Sequence, residues 1–217
     1  MSKKAALRRR VWQTTGDFVE NAVTNNVVLA QALGLFPIIA AGVTLKNGVA
    51  LTLCTAVVML PLSLIISFVG KRLPRWLRPV LYVLLASLLL VGVSFVLEAY
   101  ISPELYARLY LFIPLMAVNM LYSRSLGAAA EVRPAETVVD ALGSTVGFGA
   151  VICLISALRE MAISGSLWDK PLGFALHLPE AAAPFAAFIL LGFLSALLQW
   201  ARHHIADYFR SKEEEES

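Results

Sequence analysis

The side chains in this sequence that could do chemistry are mainly amides and hydroxyls set in long apolar stretches. Gln31 and Asn119 each lie inside such a stretch. No catalytic pair of carboxylates, Ser/His/Asp arrangement or phosphate-binding glycine loop accompanies them. An amide in this setting can cap a broken helix end, hydrogen-bond between helices, or line an ion or electron path. The residue types therefore leave both a structural and a functional role open.

Two cysteines and three histidines are the other candidate ligands. Cys54 and Cys153 lie in separate apolar stretches, without the paired spacing of a zinc or disulfide framework. We expect both to be small packing residues. His177, His203 and His204 lie at the ends of apolar stretches and are not expected to bind metal.

The composition determines what kind of element must position these residues. Of the 217 residues, 59% are hydrophobic and 15% are charged, and the mean hydropathy is +0.74. A soluble domain of this size cannot bury that much apolar surface, so lipid must be the solvent. No stretch carries a charge near its centre, and a proton relay of buried carboxylates is therefore not expected.

Six stretches reach the roughly 20 apolar residues that cross about 30 Å of hydrocarbon as a helix. The predicted spans are 27–45, 49–69, 79–97, 105–122, 138–158 and 182–202. Pro37 falls in the first span and Pro114 in the fourth, where a missing N–H and a ring clash favour a break. The predicted fold class is an all-α membrane protein with about six transmembrane helices.

The chain divides into a membrane domain and two polar ends. Residues 25–202 form the predicted six-span domain. Residues 1–24 are either an amphipathic interfacial helix or a solvated leader. Residues 203–217 form an acidic tail whose glutamates, Glu213 to Glu216, are expected to be disordered.

The distribution of Lys and Arg predicts the orientation of the spans. Four of these residues fall on one side of the membrane, namely Lys46, Arg108, Arg159 and Lys170, and the other fourteen of the 18 fall on the opposite side. The richer side includes both termini. The sequence therefore predicts that both termini are cytoplasmic.

The two halves of the membrane domain open in the same way. In each, a polar-then-apolar segment is interrupted by proline: Asn25-Asn26 through Phe36-Pro37, and Ile113-Pro114 through Asn119-Met120. This pattern is typical of an inverted repeat that places two discontinuous helices face to face at the middle of the membrane. We therefore expect a 3+3 inverted repeat with broken first and fourth helices.

The fifth span carries a face of small residues. Gly143 and Gly147 are four residues apart, and Gly149 lies beside them, so another backbone can approach closely. Packing within the chain and a subunit interface are both open interpretations.

Charged residues are predicted at the two ends of the fifth span. Asp140 is expected to cap its N-terminus. Arg159 and Glu160 are expected to end the span on the outer side and to orient the loop that contains Trp168.

Four groups of residues carry a resemblance to a known family. They are Asn25-Asn26 with Gln31 through Pro37; Phe112 through Leu115 with Asn119, Met120 and Arg124; Asp140 through Gly143 with Gly147 through Gly149; and Arg159-Glu160 with Gly165 through Trp168. They resemble the membrane subunits of the sodium-pumping NADH:quinone reductase and the Rnf complex, in the NqrD/RnfE (RsxE) branch. The resemblance runs from about Asn25 to Trp200.

The resemblance implies a partner and a cofactor. It implies an oppositely oriented homologous six-span subunit (RnfA/NqrE-like) and a [2Fe–2S] cluster held by two cysteines from each subunit. Phe36 and Met120 stand where the family has its cysteines. A phenyl ring cannot ligate iron and a thioether is a poor substitute for a thiolate. We therefore expect no cofactor in this chain, and flavins and clusters in partner subunits.

Cys54 and Cys153 are not expected to replace the missing ligands, because neither lies beside a predicted helix break. The former cluster positions are therefore expected to carry no thiolate.

The predicted function is an integral membrane subunit of an Rnf/Nqr-like ion-translocating electron transport complex, in the plasma or inner membrane. Its role is expected to be accessory rather than catalytic. The alternative is a small-molecule or ion transporter, or a substrate-binding membrane component, with its site at the breaks near Pro37 and Pro114. A purely structural assembly subunit is the third possibility.

Overall fold

The fold is built from four long apolar helices and several short ones. The computed structural model describes residues 26–74, 76–100, 103–119, 134–168, 170–171 and 178–215. The helices are α1 (Leu35–Ala41), α2 (Leu45–Val69), α3 (Arg78–Tyr100), α4 (Pro103–Leu109), α5 (Phe112–Leu115), α6 (Pro134–Ser164) and α7 (Pro184–Glu215). Single 3₁₀ turns cover Gly70–Arg72, Met116–Val118 and Pro179–Ala182, and strands β1 (Ser166–Leu167) and β2 (Lys170–Pro171) form an antiparallel hairpin.

The predicted α-helical membrane fold is confirmed, with one short hairpin added to it. Among the described residues, α2, α3, α6 and α7 are each long and apolar enough to cross a membrane. They correspond to the predicted second, third, fifth and sixth spans. The predicted first and fourth spans are not continuous helices, because they contain the short helices α1, α4 and α5 separated by irregular backbone. The relation between the halves as an inverted repeat stays a prediction.

The two central helices, α2 and α6, pack antiparallel along most of their length. Gly48 near the start of α2 lies against Ser156 near the end of α6, and Thr52 lies against Gly149. About half of the most apolar window of α2 and of α6 is buried, compared with 17% for α3 and 11% for α7. Because α3 and α7 leave most of their apolar surface uncovered, they form the periphery of the bundle.

Helix α6 is longer than the predicted span 138–158. It begins at Pro134, whose fixed φ suits a first helical turn, and it carries Glu136 at the positive end of the helix dipole. Asp140 therefore lies inside the helix, and the prediction that it caps the N-terminus is wrong.

Helix α7 continues beyond the apolar span to Glu215. Alanine, arginine, lysine and glutamate all have high helix propensity, so the helix persists after the apolar residues end. The expectation of a disordered end is wrong up to Glu215. The predicted N-terminal segment, residues 1–24, lies outside the described residues, as does His177.

The close contact of α2 with α6 predicts a large effect of adding one methyl group. A Cβ at Gly149 would lie 2.4 Å from Cγ2 of Thr52, and overpacking of this kind costs roughly 1–3 kcal/mol. Gly149→Ala should therefore lower the Tm of the purified protein in detergent. Thr52→Ser removes the Cγ2 atom and should restore much of the loss in the double variant.

The matched control is Gly192→Ala on α7, where an added Cβ would meet nothing within 4 Å. It should leave the Tm unchanged or raise it slightly, because alanine has the higher helix propensity. Equal melting temperatures for Gly149→Ala and Gly192→Ala would contradict the described contact.

Candidate functional site at two interrupted segments

The first interrupted segment, residues 26–41, is held at its start by a buried amide. Asn26 donates from Nδ2 to the carbonyl of Gly147 on α6 at 3.0 Å. Its Oδ1 accepts from the N–H groups of Val28 and Leu29 at 2.9 and 3.3 Å. The side chain thus caps the turn that follows and ties it to the central helix.

This turn ends at two residues with positive φ. Ala32 has φ 54° and Gly34 has φ 73°. The N–H of Ala32 reaches back to the carbonyl of Val28 at 2.9 Å, which is the five-residue bond typical of a helix that ends on a left-handed residue. The helical path is therefore broken at residues 32–34.

The prolines open the short helices that follow. Pro37 is the third residue of α1, and Pro114 is the third residue of α5. Because N–H groups in a first turn have no partner within the helix, proline is tolerated there. The break thus precedes each proline, whereas the sequence pattern predicts it at the proline.

The second interrupted segment, residues 103–119, changes conformation several times. Helix α4 ends at Leu109, α5 covers four residues, and a 3₁₀ turn leads to Asn119, whose φ of −64° and ψ of 126° are extended. The neighbouring Met120 lies outside the described residues.

The two interrupted segments meet. The rings of Phe36 and Phe112 lie 6.1 Å apart between centroids. A Cβ built on Gly34 would be 3.7 Å from Nδ2 of Asn119 and 3.2 Å from the ring of Phe148. Because Phe148 lies halfway along the 31 residues of α6, this meeting point is near the middle of the membrane-crossing length.

A cavity of about 340 Å³ lies at this meeting point. Its lining comes from both segments: Ala32, Gly34, Leu35, Phe36, Leu115, Val118 and Asn119. The side chain of Phe36 is 47% exposed, and Val118 is 62% exposed. The cavity is therefore mainly apolar, carries one amide, and opens on the surface of the chain.

The predicted site residues fall into two groups. Phe36 and Asn119 line the cavity, and Pro37 and Pro114 lie in the two short helices beside it. The three glycines Gly143, Gly147 and Gly149 are buried on α6. Gln31 lies in the turn before the first break and is partly buried.

The residues described at the cavity do not fit an iron–sulfur cluster. Phe36 offers a ring and Asn119 an amide, whereas such a cluster is held by thiolates or, at some irons, imidazoles. Cys54 is buried on α2, and the Sγ of Cys153 on α6 lies 3.9 Å from Oγ1 of Thr52. In the described ranges, no three or more His, Cys, Asp or Glu residues come together as a metal site.

The pair Arg159-Glu160 lies deeper in the protein than the sequence predicts. The sequence predicts that both residues end the span on the outer side and orient the loop that contains Trp168. They do not end the helix, which runs on to Ser164, but Arg159 does donate to the carbonyls of Ala181 and Ala182 in the connection between α6 and α7. Arg159 is fully buried and Glu160 is 4% exposed, because α6 runs on to Ser164 and two other segments close over them. The only sequence signal was a charged pair at the end of an apolar stretch.

These features define a class of protein: a multi-pass helical membrane protein with two discontinuous segments that meet at the middle of the bundle. The sequence matches a family model described as Rnf-Nqr subunit, membrane protein, over residues 15–195. The chain belongs to this Rnf-Nqr family, which confirms the resemblance found in the sequence.

Relatives over most of the chain carry one shared description, the E subunit of an ion-translocating oxidoreductase complex. The protein of that description from Aliivibrio fischeri is 31% identical over 208 residues, covering 88% of this chain and 91% of that protein. The one from Shewanella loihica is 31% identical, covering 80% and 81%. The one from Methanosarcina acetivorans is 30% identical, covering 78% of each.

The meeting of the two segments predicts a specific cross-link. With Cys54 and Cys153 replaced by alanine, Phe36→Cys and Phe112→Cys should be joined within one chain by a short bifunctional thiol reagent. Mass spectrometry of the digested protein measures the yield. The matched control replaces Trp76, an exposed aromatic residue in the turn before α3, in place of Phe112. Equal yields for both pairs would contradict the juxtaposition.

Proposed function

We propose that this protein is a membrane subunit of an Rnf-type ion-translocating oxidoreductase complex, acting in an accessory rather than a catalytic role. The proposal is supported by family membership and by the shared description of the relatives. Its partner is an oppositely oriented homologous six-span subunit of the RnfA/NqrE type.

The observation that carries the proposal is the exposed cavity between the interrupted segments. Non-helical backbone at membrane depth is tolerated only where protein covers it or water fills a cavity beside it. Here Phe36, Leu115 and Val118 are all more than two-fifths exposed, beside backbone that is irregular at residues 32–34. A second protein with a similar interrupted segment can cover this surface and satisfy its polar groups.

This subunit contributes no cluster ligands to the pair. The support is the donor set at the cavity: Phe36 lies where the sequence resemblance implies a cysteine, and its described neighbours in the lining are small or aliphatic residues and an amide. Electrons are carried by flavins and clusters of other subunits, while this chain supplies the scaffold at the centre of the membrane.

Both termini are cytoplasmic, and the membrane is the plasma or inner membrane. The excess of Lys and Arg on the terminal side supports this orientation. The start of α2, the end of α6 and the start of α7 lie together around Arg159, at the end that carries few basic residues.

Purification from the native membrane tests the assignment. A tagged chain should retain a homologous six-span subunit and redox subunits with flavin absorption, identified by mass spectrometry. Retention of a transport ATPase instead would support the alternative of a transporter whose site is the cavity. Val118→Trp at the exposed cavity wall should reduce partner retention severalfold, whereas Phe193→Trp on the exposed face of α7 should not.

A gain-of-cluster experiment tests the absence of ligands. The purified wild-type chain should contain no iron and show no visible absorption. Phe36→Cys combined with Met120→Cys restores the two thiolates of the family, and iron content and charge-transfer absorption should rise in the complex. Iron in stoichiometric amount in the wild-type chain would overturn this part of the proposal.

A further inference from the structure

We propose that Arg159 and Glu160 are positioning residues for the first interrupted segment: they fix both sides of the joint between α1 and α2, and so hold Phe36 at the cavity. The two residues lie on α6, far along the chain from the segment that they hold. That a partner subunit docks at this cavity rests on the proposed function, whereas the positioning of Phe36 by Arg159 and Glu160 does not.

Arg159 binds the carboxyl end of α1. Its Nη1 donates to the carbonyl of Gly42 at 2.9 Å and to that of Ile39 at 3.2 Å. Carbonyl groups in the last turn of a helix have no partner within the helix and carry its negative dipole end. A buried cation at this end therefore satisfies the carbonyls and also neutralises the dipole.

The same guanidinium holds a second segment on the outer side. Its Nε donates to the carbonyl of Ala181 at 2.9 Å, and its Nη2 donates to that of Ala182 at 2.6 Å. These residues end the 3₁₀ turn before α7. Arg159 thus bridges the interrupted segment and the start of the last helix.

Glu160 fixes the other side of the joint. Its Oε2 accepts from the N–H of Leu45 at 2.7 Å, at the first residue of α2. Thr44 caps the same helix by accepting the N–H of Asn47 at 3.3 Å. A carboxylate at the positive end of a helix dipole is favourable, so α2 begins where Glu160 holds it.

Arginine is required here because of its shape. The planar fork of five N–H donors reaches two separate segments, whereas a lysine ammonium presents its donors at a single point. Arg159→Lys should therefore keep its hydrogen bonds either to the end of α1 or to the turn before α7, but not to both. Arg159→Gln should keep neither set completely.

The test uses the Phe36→Cys and Phe112→Cys pair in the cysteine-free background. Arg159→Gln should lower the intramolecular cross-linking yield at least threefold, and Arg159→Lys should give an intermediate yield. The matched control is Arg202→Gln, which removes an exposed arginine from α7 and should leave the yield unchanged. Glu160→Ala should also lower the cross-linking yield, because the N–H of Leu45 loses its acceptor and the start of α2 is no longer held.

Two readouts separate positioning from general stability. Tm and helical content are measured on every variant, and yields are compared at a temperature where all remain folded. A lower Tm with an unchanged yield would overturn the proposal. If Arg159→Gln does not fold, the test uses Arg159→Lys instead. A cross-linking yield below that of the Phe36→Cys and Phe112→Cys parent, at the same helical content, supports positioning. A yield equal to that of the parent overturns it.

The test is independent of the partner. The cross-link forms within one chain, so a loss of yield in Arg159→Gln supports positioning even if no homologous subunit is retained in the purification. Conversely, a retained partner with an unchanged yield would leave the proposed function standing and overturn this inference.

Discussion

The structure depends on satisfying backbone polar groups where a helix is interrupted inside the apolar bundle. An unsatisfied N–H or C=O in lipid costs several kcal/mol, which is why continuous helices dominate membrane proteins. Side chains supply missing partners in the first interrupted segment and at the start of α2, which follows it. Asn26 caps the opening turn, Arg159 binds carbonyls at the end of α1, and Glu160 accepts the first N–H of α2.

The central helix pair brings these side chains within reach. Gly149 on α6 allows α2 to approach so closely that Thr52 contacts it, and Gly147 on the same helix offers its carbonyl to Asn26 of the first interrupted segment. Larger residues would separate the helices and lengthen the polar contacts that span the joint. The small-residue face is thus used within the chain by α2 and by the first interrupted segment, and α3 and α7 remain outside it.

Apolar length predicted the four continuous helices well, because local hydropathy decides whether a stretch can cross the membrane. The breaks were located less accurately, since Pro37 and Pro114 start short helices and the chain is broken just ahead of them. The role of Arg159 could not be read from the sequence. Its partners Gly42 and Ile39 are more than 115 residues away, and no local pattern encodes such a contact.

The long separation of these contacts has a consequence for biogenesis. Asn26 and Leu45 emerge from the ribosome well before Gly147 and Glu160, which satisfy them across 121 and 115 positions of sequence. The opening segment is therefore synthesised before the groups on α6 that bond it in the folded chain. Synthesis of α6 is the step that supplies these partners.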